Sequence, residues 1–383
     1  MKQYLLLLAI FSISLSIQSQ EIFFSDLDSM PEGRSAISSA HDGENIYVCN
    51  GFSTSEAYTS DIIKYNIADD SWSTLTNQSI PKRFASAAIV EHKLYIFNGY
   101  DNTLQPNHQM EIIDLENGSI TYSTQNPRPA RAGGVATWDG KIYSFGGSIN
   151  ASEYSDYLTR FDPDTEMWTV LANMPIATET KGEIVDGKLY IFGGYNENTS
   201  NRIDVYDIAT DTWSSLGTLP EGISAHATTV IGSKIWLIGD YLNLESLAYY
   251  DISDNTFQYL LSNMNGRRRA AAEGVNGNLY VIGGNTGLPI STAIASVQVS
   301  DLMTLKTKNI AESVLSVFPN PTTGMLNLDT QIDEFVIYDT NGKVIMKSIQ
   351  KTYQINVSHL NRGAYVLLGL KDDQRLRVVF TKI

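Results

Sequence analysis

The amino-acid sequence predicts an all-β protein: six four-stranded sheets set radially around an axis, a β-propeller, followed by a small Ig-like β-sandwich. Three observations predict it. An apolar strand ending in a small pair recurs as YVCNG at 47–51, YIFNG at 95–99, YSFGG at 143–147, YIFGG at 190–194, WLIGD at 236–240 and YVIGG at 280–284, in steps of 44 to 48 residues. An aromatic residue after a polar turn keeps the same beat at Trp72, Trp168, Trp213 and Phe257, with Tyr122 in the weaker second repeat. Past residue 310 the beat stops and another strand pattern begins. A fixed period of this size marks supersecondary units that cannot bury their apolar faces alone and must stack.

The chain opens with Lys2 and a serine-interrupted apolar run from Leu5 to Ile17. That run is too short for a membrane span and reads as a signal peptide over 1–20, cut near Ser19 or Gln20. No cysteine is there to take a lipid. No later segment reaches the roughly 18 apolar residues a span needs, so the mature chain is expected to be exported and to lack a transmembrane segment. The formal net charge of −15 excludes the basic face that nucleic acid requires and disfavours an anionic membrane surface. Charged residues make up only 18% of the chain, while tyrosines number 21, a bias that suits pleated sheets. Cys49 is the one cysteine. It excludes an intramolecular disulfide and a multi-cysteine zinc site, and its apolar strand IYVC predicts a small core residue. No metal site and no cofactor is predicted.

Each period from residue 21 to 304 reads in order as an inner strand, the strand with the small pair, a long polar loop, a third apolar strand (DIIKYNI, MEIIDL, YLTRFDP, RIDVYDI, LAYYDI), a polar turn and the aromatic strand. Glycine suits positions where φ turns positive or backbones crowd. The aromatic fills the wedge between sheets. The sixth period lacks its aromatic strand. Residues 22–31 resemble that strand in other repeats, with Phe24 seven before Pro31 as Trp168 is seven before Pro175 and Trp213 seven before Pro220. The N-terminus is therefore expected to supply the sixth sheet's outer strand and close the ring; residues 305–310 are the alternative.

A small pair, a Tyr or similar residue about twelve on and a Trp about seven further resembles the kelch repeat. The third and fourth periods match best, as KIYSFGG…RFDPDTEMW and KLYIFGG…VYDIATDTW. Asn-Gly and Gly-Asp replace Gly-Gly in the first, second and fifth. The resemblance implies a propeller that presents ligand-binding loops around the mouth of its axial channel.

Residues 305–312 read as a linker. From 313 to 383 the chain carries PNP at 319–321, IYDTNGKV at 337–344 with a hairpin signal at Asn341-Gly342, the stretch Leu360-Asn361-Arg362-Gly363-Ala364-Tyr365, and a closing strand LRVVFTKI after the turn at 371–374. Together these resemble the type A C-terminal sorting domain of the Bacteroidetes type IX secretion system. The resemblance implies handling by that machinery and a place outside the cell or on its surface.

Counting back 15 or 16 residues from each small pair reaches the start of each inner strand, at Arg34, Arg83, Arg131, Thr178, Ser224 and Arg268. Four arginines at about one height predict a cationic rim for an acidic ligand, a carboxylated sugar or acidic peptide, because the guanidinium fork matches carboxylates. The same arginines could instead bond carbonyls of the neighbouring sheet. Glu179 and Lys181 in the fourth period, and His226 and Asp240 in the fifth, break the symmetry. The run Arg267-Arg268-Arg269 reads as a solvated loop. No catalytic residue is predicted. The leading expectation is a binding module for a glycan or protein. Kelch propellers that epimerise N-acetylneuraminate imply an enzymatic alternative, in which Glu179 and His226 would be the acid–base candidates; a structural surface protein is the third.

Overall fold

The computed structural model describes residues 21–287, 292–302, 313–339, 344–348, 350–371 and 374–383. The predicted signal peptide, the linker, the Asn341-Gly342 turn and Asp372-Asp373 lie outside the described residues. Two compact units form, one of Ile22–Ile310 and one containing Ala311–Ile383.

Among its described residues the first unit holds six four-stranded antiparallel sheets. The first five blades run outward from Ser38–His41, Arg83–Val90, Gly134–Trp138, Glu179–Val185 and Ala227–Ile231, each meandering to the strand that carries the periodic aromatic. The sixth combines Ala271–Val275, Asn278–Ile282 and Val297–Asp301 with the N-terminal Ser25–Leu27, registered Ser25↔Val299 to Leu27↔Val297. The N-terminal strand thus closes the ring, as residues 22–31 suggested. The register carries Phe24 to the place opposite Ser300 that Trp168 holds opposite Phe161 in blade 3. Phe24 is buried, and Asn263 of blade 5 clamps its backbone, accepting from its N–H at 2.6 Å and donating to its carbonyl at 2.9 Å.

Among the described residues six apolar cores follow, one at each junction between neighbouring blades. The blade 5–6 core gathers Phe24, Trp236, Leu247 and Leu279, and the blade 6–1 core gathers Val48, Tyr65, Tyr280 and Ile282. A sheet packed on both faces needs apolar residues at both alternating sets of positions. That is why strands such as YVC and YIF lack a polar alternation. The aromatic indoles clasp the preceding blade: Trp72, Trp168 and Trp213 donate to the carbonyls of Asp28, Thr124 and Ala172 at 2.9, 3.2 and 2.9 Å. Blade 2 departs from the expectation. Its register puts Ile113 opposite Ile120 where blade 1 pairs Tyr65 with Trp72 and blade 4 pairs Tyr206 with Trp213, while Tyr122 faces Glu111 and is 58% exposed. Tyr122 lies two residues too far along to enter the wedge. Cys49 is fully buried, and burial pushes its thiol far up.

In the second unit a three-stranded sheet and a five-stranded sheet share one core, including Leu326, Leu328 and Ile355 from the first and Phe335, Leu367 and Phe380 from the second. The motif residues tie it together. Asn320 of the PNP segment accepts from Thr381 N–H and donates to the Val379 carbonyl, both at 2.9 Å. Tyr365 stacks on Phe380 and donates its hydroxyl to Asn361 O.

Candidate functional site

The register fixes which residues share a height around the axis. Arg83 faces Tyr100, Arg131 bridges Ser148, Glu179 faces Tyr195 and Arg268 bridges Asn285, each partner two residues after the first of its small pair. In blade 1 that partner is Phe52, and it faces Ser35, not Arg34. The rim level is therefore Ser35, Arg83, Arg131, Glu179 and Arg268. Glu179, not Thr178, represents blade 4.

Arg34 sits one residue earlier, and one residue along a strand turns the side chain to the other face. Its neighbours by height are Lys82 and Arg267. Their carbonyls, like that of Arg34, lie against the glycine of the preceding blade's small pair. All three cations point into the protein. Arg34 is 3% exposed and paired to Asp61. Lys82 is paired to buried Glu111 at 2.8 Å. Arg267 is 0% exposed and donates to the carbonyls of Asn265, Gly283 and Ser296 and to Gln298 Oε1. The reading of 267–269 as a solvated loop is corrected here: the run crosses a crowded junction, and its first member is a structural cross-link. Arg268 is 5% exposed, stacks on Tyr241 at 4.1 Å and donates to the carbonyls of Tyr241 and Gly287.

Arg83 and Arg131 are held differently. Arg83 engages the Tyr100 hydroxyl through Nε at 2.9 Å and lies 5.0 to 5.7 Å from the rings of Phe52, Tyr58, Phe84 and Tyr100. Arg131 engages Ser148 through Nε at 3.1 Å and lies 4.6 Å over Tyr100. Among the described residues, neither places a terminal guanidinium nitrogen in a hydrogen bond. Arg269, missed in the sequence because it closed an apparently solvated run, stacks against Phe84 and Tyr241. Burial and the Arg268 charge hold its pKa below the usual value.

Just inside the rim, five blades turn through a left-handed residue: Ala36, Phe84, Ala132, Ala225 and Arg269, with φ of 54 to 56°. Their backbones link in an arc, Ala132 N–H to Phe84 O, Phe84 to Ala36, Ala36 to Arg269 and Arg269 to Ala225, at 2.8 to 3.2 Å. Blade 4 has no such residue: it passes from Glu179 opposite Tyr195 to Lys181 opposite Phe192 in two steps where blade 2 takes three. The arc opens there.

A cavity of about 480 Å³ stands over the arc, lined by Phe84, Tyr154, Tyr195, Tyr241, Glu179, Lys181, His226 and Arg269 among others. A second, of about 340 Å³, runs along the axis between the inner strands of all six blades. Lys181 lines both. Ser148 donates to Glu179 Oε1 at 2.6 Å. Burial lifts the Glu179 carboxyl above its usual range, although Ser148 and the charges of Arg131, Arg269 and Lys181 pull it down. Burial pushes Lys181 down to about 8 and Glu183 up to about 8. His226 is 2% exposed, has no hydrogen-bond partner on either ring nitrogen among the described residues, and is pushed down to about 4 by burial. The mouth is thus a concave, aromatic-walled surface with a few convergent polar groups, the usual anatomy of a small-molecule site.

A family model described as Attractin/LZTR1 beta-propeller matches residues 9–244. The chain belongs to the Attractin/LZTR1 β-propeller family. A second model, described as a secretion system C-terminal sorting domain, matches residues 316–379, so this propeller of the Attractin/LZTR1 type carries the tail of proteins that the type IX system exports to the cell surface or beyond. Kelch-repeat relatives surround it. Kelch-like protein 25 of Xenopus tropicalis is 22% identical over 59% of this chain and 40% of its own length. Alpha-scruin of Limulus polyphemus is 22% identical over 70% of this chain and 31% of its own. The chain thus spans less than half the length of these relatives. The solved structure of YjhT superposes with a TM-score of 0.61 at 16% identity, covering 71% of this chain and 95% of that one; at that identity it shows the fold alone.

Proposed function

We propose that this exported propeller is a binding module whose mouth cavity holds an acidic ligand, a carboxylated sugar or the acidic side chains of a peptide. One observation carries the reading. Arg83 and Arg131 stand one residue before the cavity residues Phe84 and Ala132, Arg269 lines the cavity itself, and rings fix all three while their terminal nitrogens stay unbonded among the described residues. An arginine anchored through Nε and stacked on a ring has lost most of its rotamer freedom before it meets a carboxylate, which lowers the ordering cost of binding. Arg34 and Arg268 of the predicted rim hold the scaffold instead. The chain's acidity makes this cationic mouth a local exception, and steering toward it should weaken with salt.

Isothermal titration of the full chain with N-acetylneuraminate, glucuronate, a short glutamate peptide and neutral glucose tests it. Binding of at least one acidic probe but not of glucose is expected, with at least tenfold weaker affinity in Arg131→Ala and Arg269→Ala and unchanged affinity in the distant control Lys141→Ala. Equal affinity in all variants would place the ligand elsewhere.

Turnover of a bound sugar acid is the second reading. It is favoured by Glu179, a carboxyl raised by burial at the edge of the same cavity, the kind of group general acid–base catalysis uses. Accelerated anomeric exchange of N-acetylneuraminate that disappears in Glu179→Gln would establish it.

A further inference from the structure

We propose that Lys181 is a nucleophilic amine that forms an imine with carbonyl-bearing acids, 2-oxo acids above all, that enter the mouth cavity. The proposal rests on the binding reading above and adds a covalent step to it.

Four observations point to Lys181. First, the register puts it in a place where every other blade has a small residue. Lys181 faces Phe192, as Ser38 faces Cys49, Ser86 faces Phe97, Gly134 faces Phe145, Ala227 faces Ile238 and Ala271 faces Ile282. A long cationic side chain here is not a requirement of the repeat. Second, it stands where the backbone arc opens, at the shortened strand of blade 4, and it lines both the mouth cavity and the axial channel. Third, its one hydrogen bond among the described residues is to Gly133 O of blade 3, at 2.6 Å. Among the described residues no carboxylate pairs with it directly, in contrast to buried Lys82 with Glu111, although the charges of Glu179 and Glu183 act on it. Fourth, Glu179, two residues back, lines the same cavity and lies within the fields of Arg131, Arg269 and Lys181.

This set has the parts that imine formation needs. A desolvated lysine with a lowered pKa supplies free amine near neutral pH, and Lys181 is held at about 8. The arginines offer a seat for the carboxylate, which would bring an adjacent carbonyl down toward the arc. The amine lone pair adds to the carbonyl carbon, and the oxygen takes a proton to give a carbinolamine. Glu179, its pKa raised, can hand a proton to the departing hydroxyl. The C–O bond breaks, the C=N bond forms, and one water leaves. In sum, ammonium plus carbonyl gives iminium plus water, with no change of oxidation state.

Reductive trapping tests this on the full chain. The protein is incubated with pyruvate and sodium cyanoborohydride and mapped by peptide mass spectrometry. A single reduced adduct on Lys181 is expected, formed several-fold faster at pH 8 than at pH 6.5 and competed by an acid that binds in calorimetry. Lys181→Arg keeps the cation and a donor for Gly133 O but cannot form the imine; it should melt like the wild type and lose the adduct. No adduct at Lys181, or labelling spread evenly over surface lysines, overturns the proposal. In parallel, the ring-locked methyl glycoside of N-acetylneuraminate, which has no free carbonyl, is titrated. If it binds while Lys181 stays unlabelled, the imine alone is wrong. If neither occurs, and no acidic probe binds in calorimetry, the binding reading falls with it.

Discussion

The arginines show how much one position along a strand decides. Arg34 and Arg83 occupy neighbouring heights in a 15-to-16-residue count, yet one is buried against Asp61 and the other stands at the mouth with its terminal nitrogens unbonded among the described residues. The sequence could show that cations cluster near each inner strand. It could not show the register, because the left-handed residue that sets it is Ala, Phe or Arg with no common side-chain signal. Arg267 gives a sharp prediction. Removing its guanidinium takes the donor from the carbonyls of Asn265 and Gly283 and one of two donors from Gln298 Oε1 at a sealed junction, so Arg267→Met should cost about 3 kcal/mol or more, read as a lowered denaturation midpoint. Glu183 gives a pH-dependent one. Its folded pKa, about 8, lies above the ordinary value of 4.5. Below pH 4.5 both states hold the proton; as pH rises to 8 the unfolded chain sheds it and the folded chain cannot, so wild-type stability falls. Glu183→Gln should therefore gain on the wild type between pH 5 and 8, by about 1–3 kcal/mol. An offset equal at both pH values would contradict the assignment.

At the scale of elements, the repeat strands were legible because a strand buried on both faces must be apolar along its length and a propeller repeats that demand six times. Ring closure was legible for the same reason: the sixth period lacked an aromatic strand and the N-terminus carried a spare one. What escaped was the deletion in blade 4. It shortens the inner strand by one residue and leaves the facing strand with an unmatched one, and such irregularities leave no hydrophobic pattern. The misplacement of Tyr122 has a related cause, since aromatic character was read where spacing from the turn decides. The closing strand should be the ring's weak seam, because its ladder to Val297–Asp301 is only three residues long. Phe24→Ala removes its anchor and should cost about 3–5 kcal/mol. Asn263→Ala, which removes the backbone clamp, should speed amide exchange in residues 22–27 before the rest of the propeller. Uniform exchange across all six blades would show that closure is not the limiting element.

At the scale of the whole molecule, net charge and function separate. A chain of net charge −15 favours solubility outside the cell, while the mouth gathers Arg83, Arg131 and Arg269 around aromatic walls. The architecture and the sorting tail could be read from the sequence because both are distributed over many residues. The site could be read only in part: Arg83, Arg131, Glu179, Lys181 and His226 were in view, whereas Arg269 and the tyrosine walls come together from loops of different blades. The central claim is that the ligand sits in this mouth. Hydrogen–deuterium exchange of the full chain, with and without N-acetylneuraminate or glucuronate, tests it most directly. The account predicts protection confined to separate segments at one face, around 83–84, 131–132, 179–181, 224–226, 241–242 and 268–270. Protection at the opposite ends of the inner strands or in the sorting domain, or none with any acidic probe, would contradict it.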